Sequence, residues 1–401
     1  MLAPPPPAPY HYRDVVTLSP LKRIRAVPRW RRALAFGAAV LALASCRSSD
    51  TIVVGLAGPF SEARGLSMKR AAQMAAEEIN RSGMLGGRHL ELRIMDDSAN
   101  SARAIVVADS LRQDRRVVAV IGHLTSAPTL AAAAVYNGGS SPVVEISPSA
   151  SSPDLSGIGP YTFRVCATDL AHGTALGQYA YVRLGVRHVA IIYQNDDYGR
   201  GIVATFRADF LRRGGTVDEQ DPVLGPETDA TPYIERIQRA GTAGAVMIAA
   251  DRATAVAVLR LLRQHNMTMP VLGGDALTGI QDEGALAEGV YLTSNYLPER
   301  PGPVNAAFVR AYQAAYGGDK PDHRGAGAYD ALHLIADAVR ARGADRAAIR
   351  DYLASIGTAG GPPAYDGVTG RIQFDAGGDV RDKSVVVGVV RGGRIVLADT
   401  P

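Results

Sequence analysis

Gly122-His123-Leu124-Thr125-Ser126-Ala127-Pro128 sets a hydroxyl and a proline where the apolar run Val117 to Ile121 stops and a helical pattern begins. Pro128 falls in the first turn, where a missing N–H costs nothing, and Ser126 is expected as the N-cap. A helix start carries unpaired N–H donors and partial positive charge, so this loop can seat a carboxylate. Simple capping without a ligand uses the same residues, and the loop alone leaves both readings open. Ser147-Pro148-Ser149-Ala150-Ser151-Ser152-Pro153-Asp154 brings hydroxyls and extended backbone to the end of the next apolar run. Ser and Pro runs also make plain turns.

Other chemistry is poorly represented. His123 has no second His or Cys at ligand spacing, so it is expected to bond within a loop or core, and no metal or cofactor is expected. Asp96-Asp97 are adjacent carboxylates at a strand end, where neighbours point to opposite sides, and read as a solvated loop. No Gly-x-Ser-x-Gly elbow, His-Glu-x-x-His or Gly-Lys-Ser/Thr segment occurs, which argues against a hydrolase or phosphate enzyme. The two cysteines, Cys46 and Cys166, exclude a disulfide framework, and Cys166 reads as a buried small hydrophobe.

The elements that must hold these loops alternate. Strands are expected at Ile52 to Leu56, Leu90 to Met95, Val117 to Ile121 and Val143 to Ile146, with helices Gly65 to Ser82, Ala102 to Arg112 and Ala127 to Tyr136 between or after them. The theme restarts from helix Leu170 to Leu184 through strand Gly289 to Ser294. Helices Val304 to Tyr316, Gly325 to Ala341 and Arg346 to Ile356 follow, then closing strands Gly370 to Phe374, Ser384 to Val390 and Arg394 to Ala398. This order predicts an α/β fold of two doubly wound, Rossmann-like lobes joined by a hinge of several crossovers. The expected division is 51–166 plus 296–368 for lobe 1 and 167–295 plus 369–398 for lobe 2.

Ahead of these lobes, basic residues from Lys22 to Arg32 precede the apolar Ala33 to Ala44, too short for a stable span but long enough for a signal-peptide core. Leu43-Ala44-Ser45-Cys46 resembles a lipobox, so residues 1–46 read as a signal peptide and lipobox. Cys46 then becomes a lipid anchor on an exported protein, on the periplasmic or outer face of a bacterial membrane. An uncleaved signal anchor is the other reading. About 355 residues remain after Cys46, enough for two lobes. The composition, 47% hydrophobic and 20% charged, suits a packed globule, and the formal charge of +4 owes much to the leader, which leaves no basic stripe for nucleic acid.

From Ile52 to about Leu397 the chain resembles the periplasmic branched-chain amino-acid (leucine/isoleucine/valine) binding proteins of ABC importers. The resemblance rests on Ile52 to Phe60, Ala76 to Asn80, Gly83, Gly87, Leu90 to Asp97, Ile121 to Ser126, Ile146 to Pro148, Asp196 to Gly201 and Gly370 to Asp379. It implies a type I periplasmic binding fold with no enzymatic activity. It further implies that Ser126 binds a ligand carboxylate, Ser149 and Ala150 supply backbone groups, and Ser151 offers a hydroxyl. Tyr198 closes over the ligand, and Asp275 pairs with its α-ammonium. Where relatives line the ligand side chain with aromatic rings, this chain carries Arg64 and Asp251, with Arg324 nearby. These three pair with one another, meet a polar ligand, or face solvent.

The expected function is a lipid-anchored solute-binding protein, monomeric, that captures an amino acid or small related amide between its lobes and hands it to an ABC permease. The alternative is a regulatory envelope lipoprotein of the same fold that docks on a sensor or envelope enzyme.

Overall fold

The computed structural model describes residues 51–398. The expected leader, lipobox and acylated Cys46 lie outside the described residues.

The first sheet is wholly parallel. It contains β1 (Thr51–Gly58), β2 (His89–Asp96), β3 (Val117–Ile121), β4 (Val144–Ser147) and β5 (Thr162–Arg164) in the order β2-β1-β3-β4-β5. All five residues of β3 are buried, as a strand covered by helices on both faces requires. Each of its Val and Ile side chains contributes roughly 1.5–3 kcal/mol on burial. α1 (Ala63–Ser82), α2 (Ser101–Gln113) and α3 (Ser126–Asn137) supply the connections. α1 ends at Gly83 in the left-handed conformation (φ 67°), where a residue without Cβ is least strained.

β6 (His188–Gln194), β7 (Thr216–Val223), β8 (Ala245–Ala249), β9 (Val271–Gly273) and β10 (Val290–Ser294) repeat that topology as β7-β6-β8-β9-β10. α4 (Asp169–Gln178), α5 (Asp197–Arg212), α6 (Thr231–Ala240) and α7 (Arg252–Gln264) cover this second sheet. α8 (Pro303–Ala315), α9 (His323–Arg342) and α10 (Arg346–Ser355) return to the first lobe, where Leu332, Ile335 and Leu353 join Leu56, Ile121 and Ile146 in one core.

The closing segment divides differently from expectation. β11 (Tyr365–Gly367) and β12 (Gly370–Ile372) form a separate antiparallel hairpin, and Ile372, Phe374 and Val380 pack into the first-lobe core. Only β13 (Val386–Arg391) and β14 (Arg394–Leu397) extend the second sheet, both antiparallel. Residues 369–382, expected in lobe 2, therefore belong with lobe 1, because the apolar faces of Ile372 and Phe374 meet Phe163 and its neighbours there. The chain passes between the lobes after β5, after β10 and again beyond Val380, so the multi-crossover hinge is present.

Two local readings are also corrected. Asp97 is buried, not solvated: its Oδ2 lies 2.5 Å from Nδ1 of the buried His123, whose Nε2 in turn meets Tyr136 Oη at 3.3 Å. Strand β5 was not expected, since three residues containing an arginine show no β period. Cys166 follows it fully buried, and burial pushes its thiol up to about 12.

Candidate functional site

Parallel strands end at the cleft between the lobes, and there the chain places a cavity of about 930 Å³. Arg64, Ser126, Ser149 and Ser151 line it from the first lobe. Tyr198, Asp251 and Asp275 line it from the second. Residues separated by as many as 211 positions, Arg64 to Asp275, thus share one space.

Ser126 is the first residue of α3, not its cap; Thr125 holds the cap position without a side-chain bond. The Ser126 hydroxyl accepts the Ser152 N–H instead (3.2 Å), tying the two serine loops together. The N–H groups of the first helical turn have no carbonyl four residues back and remain the donors for an anion.

Ala150 does not line the cavity, contrary to the expectation that it supplies backbone groups. Its N–H donates to Ser147 Oγ (3.0 Å), and its carbonyl accepts from Arg164 (3.3 Å) and Cys166 Sγ (3.3 Å). Arg164 organises this loop: its guanidinium donates to Ser152 O (2.7 Å), Ser156 Oγ (2.7 Å) and Asp379 Oδ1 (2.6 Å). Carbonyls on both sides of Ser151 are thereby held. Ser149, which lines the cavity, bonds through its hydroxyl to His323 Nε2 (3.1 Å).

Asp275 follows β9 and is 2% exposed. Its Oδ2 stands 3.7 Å from His323 Nε2 and 4.0 Å from His172 Nε2, while Oδ1 has no hydrogen-bond partner. Asp169, at the start of α4, is fully buried, and its carboxyl oxygens lack a partner of good geometry; burial first, then the Asp275 charge, pushes its pKa far up against a weaker opposing contact from the Ser151 hydroxyl. Among the described residues eleven buried side-chain polar atoms lack a partner, and five of them belong to Ser151, Asp169, His172 and Asp275. Orphaned polar atoms are costly in a protein interior; of these residues Ser151 and Asp275 line the cleft, which suits a polar guest.

Little in the sequence distinguishes Asp169, His172 and His323 as neighbours of Asp275. The only signal was an aspartate opening a helix after an unrecognised strand, and a histidine after the capping Asp322, whose side chain accepts from Arg324 and Gly325.

Of the alternatives for Arg64, Asp251 and Arg324, pairing within the cavity wall is what the structure shows. Arg64 bonds Glu62 (2.6 Å) and reaches across the cleft to Asp251 (3.7 Å). Asp251 caps α7 by accepting the Thr254 N–H (2.9 Å). Arg324 pairs with Asp322 (3.0 Å) and touches the Ala276 and Thr278 carbonyls of the other lobe, each at 3.4 Å.

Burial, and then the adjacent Arg324 guanidinium, lowers the His323 pKa from 6.5 to about 4. Within that window the unfolded chain binds more protons than the folded one, so stability falls as pH drops. Native protein should lose about 1.4 kcal/mol more per pH unit than His323→Gln between about pH 6 and 5. Urea midpoints at each pH read this, and parallel curves would exclude a neutral buried histidine.

Tyr198 stands over the cleft, its hydroxyl accepting the Ala276 N–H (3.4 Å). A Cβ at Gly274 would lie 2.1 Å from that hydroxyl and 2.4 Å from Ile202 Cδ1. Gly274→Ala should therefore displace the ring and weaken ligand binding by about tenfold, a loss of about 1.4 kcal/mol, at little cost to the fold. Calorimetric titration alongside a thermal melt checks both halves of that expectation.

The sequence pattern of a periplasmic binding protein family matches residues 52–394. An amino acid binding protein of Pseudomonas aeruginosa is 28% identical over 352 residues, covering 84% of this chain and 89% of that protein. Among solved structures, a branched-chain amino acid transporter substrate-binding protein, LivJ, from Streptococcus pneumoniae in complex with isoleucine aligns with TM-score 0.76 at 25% identity. That alignment covers 86% of this chain and 97% of the other. An ABC transporter substrate-binding protein of Desulfitobacterium hafniense in complex with Leu aligns with TM-score 0.72 at 27% identity, covering 86% and 99%. With the doubled β2-β1-β3-β4-β5 topology and a polar cleft at the strand ends, the match over nearly all of the two lobes shows that the chain belongs to the periplasmic binding protein family, with the type I fold.

Proposed function

We propose that the chain captures an amino acid between its lobes and delivers it to an ABC permease. One observation carries this reading: Ser126 and Ser151 from one lobe and Asp275 from the other line a single cavity, with Asp275 Oδ1 buried and unpartnered. A zwitterion answers both ends, its carboxylate at the start of α3 and its ammonium at Asp275. Ligand contacts made from both lobes stabilise the closed form over the open one, and a permease that favours the open form releases the cargo. The amino-acid ligands and transporter context of the relatives agree with this role.

Export and acylation of Cys46 complete the proposal, with the protein acting as a monomer beside its permease. Docking alone would give no reason for unpartnered polar atoms to collect in the cleft, which disfavours the regulatory alternative. Calorimetric titration with the common amino acids and small amides tests the reading; silence across both classes overturns it. Recovery of the protein in the detergent phase, lost in Cys46→Ser, tests the anchor.

A further inference from the structure

Beyond the two groups that every amino acid carries, the cleft meets its guest with a charged wall of uneven sign. Asp196 and Asp251 are the N-caps of α5 and α7, the helices that follow the adjacent strands β6 and β8. Each spends Oδ1 on its helix, accepting from Gly199 N (2.8 Å) and Thr254 N (2.9 Å) respectively. Glu62 faces them from the first lobe.

One guanidinium serves these three carboxylates. Arg64 bonds Glu62 at 2.6 Å and stands 3.7 Å from Asp251 Oδ2, beyond hydrogen-bond reach. Among the described residues no basic side chain pairs with Asp196. The other nearby cations are paired elsewhere: Arg70 with Asp319, Arg200 with Asp197, Arg252 with Asp282 and Glu283, Arg260 with Glu283, Lys320 with Glu299, and Arg324 with Asp322. Burial raises the Asp196 pKa, and the Asp251 and Asp197 charges add to it, although the Gly199 N–H and the Arg200 charge pull the other way. The cavity that holds this pair is built for a ligand, because Asp275, 2% exposed with Oδ1 unpartnered, lines it as well.

We infer that the cleft selects amino acids whose side chain ends in a cation, an ammonium or guanidinium seated between Asp196 and Asp251 while Arg64 stays on Glu62. The inference rests on the amino-acid reading above and names the class of side chain. A branched aliphatic tail would strip water from these carboxylates without replacing its hydrogen bonds, and an anionic tail would add a fourth negative charge. A cation replaces the lost hydration with charge-assisted bonds.

Calorimetric titration of the purified protein with lysine, arginine, leucine and glutamate tests the wall. Lysine or arginine should bind at least about tenfold tighter than leucine, with the margin shrinking as salt rises. Asparagine caps helices as well as aspartate does, so Asp196→Asn and Asp251→Asn keep their helix starts while removing the charge. Each should cut the lysine-to-leucine affinity ratio by about tenfold. Leucine or glutamate binding as tightly as the basic amino acids overturns the inference and leaves amino-acid capture standing. So does a ratio unmoved in both variants. Silence toward every amino acid and amide removes the capture reading itself, and the inference with it.

Discussion

Asp275→Asn should weaken ligand binding by about 30-fold or more while making the empty protein more stable. Losing one partner of a buried, hydrogen-bonded charge pair typically costs 2–5 kcal/mol or more of affinity, and about 1.4 kcal/mol is a factor of ten. Within the protein itself, by contrast, the Asp275 carboxylate is buried at 2% exposure with Oδ1 unpartnered and with the Asp169 carboxyl close enough to feel its charge. An amide in its place removes that charge, and the unliganded protein should gain about 1 kcal/mol. Urea denaturation without ligand and calorimetry with it read the two changes separately. Stability and affinity falling together would point to a folding defect, and Asp275 would lose its place as the anchor for the ammonium.

Arg164→Met is expected to be the most damaging single change outside the cleft. The side chain is 2% exposed, its guanidinium holds Asp379 at 15% exposure, and it satisfies the carbonyls of Ala150 and Ser152 and the Ser156 hydroxyl. Removing one member of a buried pair leaves an uncompensated charge, which costs about 3–5 kcal/mol. The shift should appear in the urea midpoint. Arg164→Met combined with Asp379→Leu should recover part of the loss, because no bare carboxylate remains. Ligand affinity should also fall in the single variant at temperatures where it is folded, since the carbonyls flanking Ser151 lose their donor. Full stability in Arg164→Met would mean that the serine loop holds its shape without this clip.

Much of the architecture was legible because its signals are local. Val117 to Ile121 reads as a buried strand from five consecutive apolar residues, and five of five are buried. The loops that follow such strands carry Ser126, Tyr198, Asp251 and Asp275, and all four reach the cavity. The segment from Gly370 to Phe374 packs in lobe 1 and not in the expected lobe 2 for a complementary reason. Its alternating apolar residues declare a strand-like segment but not the partner, and the partner is a first-lobe core that includes Phe163 and Leu332.

Composition and periodicity by themselves determined the α/β alternation, the two lobes and the strand-end loops that line the cleft. Tertiary structure decided which groups in those loops are free. Ser126 turned its hydroxyl to Ser152, Ala150 closed both of its backbone groups on neighbours, and Asp169, His172 and His323 arrived beside Asp275 from elements well over a hundred residues apart at the extremes. The physical reason is one of range. Hydrophobic period is set by side chains three or four positions apart on a helix, or two apart on a strand. Hydrogen-bond satisfaction and charge balance in a cleft depend on groups that only the folded chain brings within 4 Å.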